Sequence, residues 1–278
     1  MSIVFDENLD LFCLETANTS YIIGLADHRT FVGHVYYGRR VRRQDLRYLL
    51  RTGEAPFVPS GNERECCSFY DAFPAEYSGN GVGDYRESSI AVRTQAGQHA
   101  VMPTYVSYEI TDQKPQLPGL PSAFDREHTA QTLILRCRDE VLQLDVDLYY
   151  TVFEENDMIT RSVRISNQSK EAVYLKAYSA CMDMDDDAYE MLTLHGSWAR
   201  ERQMDRRPLG YGKTSVGSIR GESSHQEHPF MAWMKSSTTQ TAGEVYAMHF
   251  IYSGNFIAQL EKSQFDSIRA VMGIHPAD

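Results

Sequence analysis

Apolar and polar residues alternate with a period of two along most of this chain. From Leu142 onward, Leu142, Leu144, Val146, Leu148, Tyr150 and Val152 share one face, while Gln143, Asp145, Asp147, Tyr149 and Thr151 share the other. That is the pattern of a long strand with one buried side. Glu154-Glu-Asn-Asp157 then turns the chain, and Ile159, Arg161, Val163 and Ile165 alternate next. Asn167-Gln-Ser-Lys170 turns it again before Val173, Leu175 and Ala177 continue the pattern. These segments predict a three-strand antiparallel meander. Arg161 falls on the apolar face of its strand, so it requires a carboxylate or carbonyl partner from elsewhere.

Similar strands are readable at 11–16, 21–25, 30–36, 89–94, 103–110, 131–138, 245–252, 256–260 and 267–272. Helical periodicity is nearly absent. One short helix is expected at 44–51, in a basic stretch that is amphipathic only through Leu46, Leu49 and Leu50. Many strands without crossover helices predict an all-β fold, a large two-layer antiparallel β-sandwich with very little helix, because a parallel sheet would need those crossovers. Lys114-Pro-Gln-Leu-Pro-Gly-Leu-Pro121 reads as a rigid loop between strands, so residues 1–278 read as a single domain. Residues 269–278 read as a strand running into a loop, with the expectation that the chain is cut from something longer.

The formal net charge of −11 argues against nucleic acid or an anionic membrane surface as partner, since both need a cationic footprint. A neutral ligand fits better. No run of about 18 apolar residues occurs, and the acidic start Met1-Ser-Ile-Val-Phe-Asp-Glu-Asn-Leu-Asp10 lacks the form of a secretory signal. The five cysteines (Cys13, Cys66, Cys67, Cys137 and Cys181) are odd in number and lack metal-site spacing; reduced thiols in a cytoplasmic protein are expected.

Most candidate chemistry reads as structural. Gly79-Asn-Gly81-Val-Gly83 is not followed by a helix pattern, so it reads as a glycine-rich turn rather than a phosphate loop. Asp183-Met-Asp185-Asp186-Asp187 lacks the central glycine and distal glutamate of a calcium loop and reads as a solvated acidic turn. Asp84-Tyr-Arg86 and Arg206-Arg-Pro208 read as loop ion pairs. Ser223-Ser-His-Gln-Glu-His-Pro-Phe230 groups two histidines and a glutamate near serines, yet no orienting carboxylate or oxyanion site is visible, and HxxH on a loop is weak as a metal motif. No metal or cofactor is expected. The segment His195-Gly-Ser-Trp-Ala-Arg-Glu-Arg202 differs, because it sets one of two tryptophans among alternating charges. A sugar presents a flat C–H face to stack on indole and hydroxyls for guanidinium and imidazole groups. The competing reading makes Trp198 a core aromatic at a strand end.

Taken in order, several segments resemble the amino-terminal domain of glycoside hydrolase family 36, the bacterial α-galactosidases. They are Glu76-Tyr77 with Gly83-Asp-Tyr-Arg86, the Lys114–Pro121 loop, Tyr150-Thr-Val-Phe153 with Ile159-Thr-Arg-Ser162, His195–Arg202, Gly221-Glu-Ser-Ser-His-Gln226 with Pro229-Phe230, Gly243-Glu-Val-Tyr246, Tyr252-Ser-Gly-Asn-Phe256, and Met272-Gly-Ile274. The resemblance implies a β-supersandwich like that of galactose mutarotases, followed in full-length relatives by a TIM-barrel catalytic domain. It implies hydrolysis of terminal α-1,6-linked galactose from raffinose, melibiose and stachyose with retention, chemistry that needs two carboxylates about 5 Å apart. In relatives both are barrel aspartates, so no catalytic residue is expected here. The resemblance also implies a homo-oligomer, tetrameric in relatives, whose amino-terminal domain lends side chains to a neighbouring subunit's sugar pocket. Trp198 stands at the position of the contributing tryptophan. A second contributor, an aspartate before a Phe-x-Pro step, falls near Glu54 ahead of Phe57-Val-Pro59. A stand-alone carbohydrate-binding module and a mutarotase-like enzyme using His195, His225 and a carboxylate are the alternatives.

Overall fold

The computed structural model describes residues 2–53, 69–127, 129–223 and 225–276. The chain divides into two compact units, the first formed by Met1–Leu117 with Ala123–Lys176 and the second by Pro118–Ser122 with Ala177–Asp278. Both are built from antiparallel strands, as the alternation predicts.

In the first unit, β1 (Ile3–Asp6), β2 (Leu11–Glu15), β3 (Thr19–Ala26) and β4 (Phe31–Arg39) form one four-stranded sheet in sequence order. Strand β5 (Ile90–Thr94) follows, and then β6 (Thr104–Thr111), β7 (Gln131–Asp139), β8 (Leu144–Phe153) and β9 (Met158–Asn167) form a second sequential sheet. The long strand read from Leu142 is β8, and its predicted buried face is buried: Leu144, Val146, Leu148, Tyr150 and Val152 are all at most 1% exposed. The predicted meander holds for β8 and β9 but not for its third strand. Strand β10 (Val173–Ala177) pairs with β5 rather than with β9. Sequence adjacency favours a neighbour, but pairing is decided by which edge lies open, and alternation is blind to that.

The expected helix at 44–51 is a single 3₁₀ turn, Arg47–Leu49. Leu46 and Leu50 are both buried in an apolar cluster with Leu11, Ile22, Phe31 and Phe73, and Leu50 is already extended, with φ −73° and ψ 113°. The nearby arginines are drawn elsewhere. Arg40 and Arg43 reach Glu15 at 3.1 and 3.0 Å, and like charges along one short helix would repel.

Arg161 has the partner its position demanded. Glu76, 0% exposed, receives Tyr21 Oη at 2.6 Å and His34 Nδ1 at 2.8 Å on one carboxylate oxygen, and Tyr150 Oη at 2.7 Å on the other. The Arg161 guanidinium lies 3.0 Å from that second oxygen. Burial pushes the Glu76 carboxyl up, but Arg161 and the bonds from His34 and Tyr21 outweigh it and hold the carboxyl below its usual range. This network joins β3, β4, β8 and β9 through one buried anion.

In the second unit, β11 (Ala180–Asp185), β12 (Tyr189–Ser197), β13 (Arg200–Pro208), β14 (Gly212–Ser218), β15 (Glu227–Lys235), β16 (Val245–His249), β17 (Phe256–Lys262) and β18 (Ser267–Ile274) form two four-stranded sheets. One has the order β11-β18-β17-β14 and the other β13-β12-β15-β16. Their inner faces share a core in which Trp233 on β15 is fully buried and donates its indole N–H to Met184 Sδ on β11 at 3.0 Å. Asp183 and Arg269 sit opposite each other on β11 and β18 and pair through two bonds of 2.7 Å, both side chains essentially out of solvent.

Candidate functional site

The segment singled out in the sequence is the connection between β12 and β13. Ser197 pairs with Arg200, so Trp198 and Ala199 alone make the turn, and Ala199 takes the positive φ of 60° that such a tight reversal needs. Trp198 is 82% exposed. The core reading of this tryptophan is therefore wrong: Trp233 is the core indole, and Trp198 projects at a hairpin tip.

The tip is held by backbone-level constraints. The ladder slips between His195 and Ser197, so that Glu201 and Arg202 together oppose Gly196, a bulge at which Arg202 has φ 55°. Gly196 donates to the Gln226 carbonyl at 3.2 Å. A Cβ at Gly196 would lie 2.2 Å from the Arg200 carbonyl oxygen and 3.0 Å from that of His225, so only glycine lets the hairpin and the 219–226 loop approach this closely. The side chains reinforce the turn. Glu201 Oε1 accepts from the Ala199 N–H at 2.8 Å, and Arg200 Nε donates to Ser197 Oγ at 3.1 Å. His195 lies between Thr193 Oγ1 at 2.7 Å and Glu227 Oε2 at 2.8 Å.

Behind the hairpin Ser223, His225, His228 and Pro229, with Glu201 and Arg202, line an open recess of about 460 Å³. The structure thus brings together two segments that the sequence reading treated separately. His228 also stacks on His249 of β16, their centroids 5.4 Å apart. For His228, burial, His249 and Arg202 all push the imidazole below its ordinary range; for His249, burial and Arg202 do the same. His249 was not singled out from the sequence, because it reaches the site only through pairing of β15 with β16.

The remaining candidates separate by burial. Asp84 and Arg86 form a buried pair, with Arg86 also donating to the Phe73 carbonyl at 2.7 Å; they are a packed element and not an exposed loop pair. The acidic run is only partly a solvated turn, since Asp183 is committed to Arg269, Asp186 to Lys262 at 2.5 Å, and Asp187 to Lys235. No cluster of His, Cys, Asp or Glu suited to a metal occurs among the described residues. Glu54 and Cys66-Cys67 lie outside the described residues. Cys13, Cys137 and Cys181 are buried and in no disulfide among the described residues. No helix among the described residues is long and apolar enough to cross a membrane.

An antiparallel all-β chain of this order, with its hairpin indole, defines the class to which comparison with known proteins then gives a family. The Glycosyl hydrolase family 36 N-terminal domain matches residues 30–278, and the chain belongs to that family. It is 38% identical over 99% of its length to the bifunctional α-galactosidase/sucrose kinase AgaSK of Mediterraneibacter gnavus, covering 30% of that protein. It is 37% identical over 98% of its length to α-galactosidase Mel36A of Lactobacillus acidophilus, covering 38%. The crystal structure of the family 36 α-galactosidase AgaB from Geobacillus stearothermophilus superposes with a TM-score of 0.93 at 34% identity, over 100% of this chain and 38% of that one. The chain therefore spans about a third of the length of the curated relatives it matches, and it corresponds to their amino-terminal domain.

Proposed function

We propose that this chain is the non-catalytic amino-terminal domain of a cytoplasmic α-galactosidase, one that removes terminal α-1,6-linked galactose from melibiose- and raffinose-type oligosaccharides with retention. In this reading the two reacting carboxylates lie on sequence this chain does not contain. The domain supports a homo-oligomer and lends Trp198, together with Glu54, to a neighbouring subunit's sugar pocket. Ligands are neutral α-galactosides, and neither nucleic acid nor membrane is a partner. The buried cysteines Cys13 and Cys137, in no disulfide among the described residues, suit a reducing compartment.

The exposed Trp198 carries the proposal. An indole left 82% exposed on a tip fixed by Gly196 and the Glu201 bond is a preformed apolar platform, and such a surface gains stability only when something covers it. A pyranose face matches it in size and polarity. A domain that completes another subunit's pocket would also narrow access and tie activity to assembly. In the full-length oligomer, Trp198→Ala should raise KM for melibiose about tenfold, the loss of roughly 1.4 kcal/mol of stacking. An unchanged KM in an intact oligomer would refute the contact.

A further inference from the structure

The recess behind the hairpin has a donor and acceptor set that the structural role of the loop does not use. The guanidinium of Arg202 makes no hydrogen bond or ion pair among the described residues, and its charge acts on the imidazoles of His228 and His249. Among the described residues, His228 is engaged through its ring face, on His249. Glu201 spends one carboxylate oxygen on the Ala199 N–H, and its other oxygen has no partner among the described residues. Around these groups lie Ser223, His225 and the Pro229 ring, lining an open recess of about 460 Å³. That volume falls in the range of small-ligand pockets.

The mixture discriminates between ligand classes. An oxyanion would want converging cations and no carboxylate, yet Glu201 lines the recess and the imidazoles beside Arg202 are held toward their neutral form. A neutral imidazole is one donor and one acceptor, which matches a sugar hydroxyl that is both. A guanidinium offers paired donors to vicinal hydroxyls, a carboxylate accepts from them, and a proline ring offers an apolar patch to a C–H face.

We propose that this recess is a subsite for a second sugar ring, with Arg202, His225 and His228 donating to its hydroxyls and Glu201 accepting from them. Resting on the reading that Trp198 borders a galactoside pocket, the ring is the sugar beyond galactose in the oligosaccharide. Glu201 and Arg202 follow Trp198 by three and four residues on the same hairpin. The subsite selects for chain length: it gives an oligosaccharide contacts that an aryl galactoside cannot make.

The test uses the full-length oligomer and compares kcat/KM for raffinose with that for p-nitrophenyl α-galactoside. Arg202→Ala and His228→Ala should each lower the ratio of the two about tenfold, and His228→Asn, which keeps a donor and an acceptor, should recover most of it. A general folding or assembly defect lowers both rates and leaves the ratio in place. An unchanged ratio in both alanine variants, with Trp198→Ala still weakening both substrates, overturns the subsite and leaves the proposed function standing. If Trp198→Ala changes neither substrate, the proposed function itself fails. Inhibition by inorganic phosphate that is lost in Arg202→Ala, with the ratio unchanged, would mean an oxyanion site and likewise overturn the inference.

Discussion

Glu76→Gln removes the charge at the centre of the first unit while keeping its shape. In the native network one carboxylate oxygen takes Tyr21 and His34 and the other takes Tyr150 and Arg161, at 2.6 to 3.0 Å. An amide keeps a carbonyl oxygen for one pair, but its NH₂ confronts the donors of the other. Placed toward Arg161, it leaves a guanidinium that is 11% exposed without its anion. Breaking a buried pair from one side costs about 3–5 kcal/mol; the residual hydration of Arg161 favours the lower end. At about 2–4 °C per kcal/mol for a unit of this size, the melting temperature should fall by roughly 10 °C. Urea unfolding followed by far-UV circular dichroism measures the loss directly. In an Arg161→Met background the same substitution should cost at least about 1 kcal/mol less, since the coupling is then gone. The folded carboxyl titrates below its usual range, so its contribution is complete above the unfolded value of about 4.3 and is lost as pH falls through the folded one. The gap between the native chain and the variant should therefore be constant near pH 7 and close in acid. A cost below about 1 kcal/mol at pH 7, or a gap that widens on acidification, would refute the account of Glu76 as a satisfied buried anion.

Two further outcomes are expected alongside those stated for Trp198 and the recess. Gly196→Ala should destabilise the second unit by about 1–3 kcal/mol through overpacking and, in the full-length oligomer, also raise the KM for melibiose, because relieving a 2.2 Å contact with the Arg200 carbonyl must move the turn that presents Trp198; no change in either would show that the hairpin is not so constrained. Cys137, whose thiol burial pushes up to about 12 with a smaller push from Asp147, should resist iodoacetamide at pH 8 in the native chain and react once urea unfolds it. Rapid native labelling located there by mass spectrometry would contradict its burial.

The period-two pattern made the strands legible because alternation is a property of each segment alone. It located β8 and β9 and placed Arg161 on a buried face in need of an anion. It could not name Glu76 as that anion, since the two are 85 residues apart and Glu76 precedes β5 in an irregular segment. The meander failed at β10 for the same reason: the pattern says which face of a strand is buried, not which edge it meets. Asp183 read as solvated because acidic runs usually are, whereas its register opposite Arg269 fixes it in the core.

The site divides in the same way. The sequence by itself determined the composition of the hairpin, its glycine and its indole, and through the ordered motifs it determined the family. Trp198 stands among charged residues and Trp233 in the apolar run Phe230-Met-Ala-Trp-Met234, but only the tertiary structure decided that Trp198 is the exposed tryptophan and Trp233 the buried one, because exposure depends on what packs against each side chain. It alone joined the His195–Arg202 hairpin to the Ser-His-Gln loop and brought His249 to His228. Each of those meetings follows from strand pairing at long sequence separation, where local preference carries no information and the fit of whole faces does.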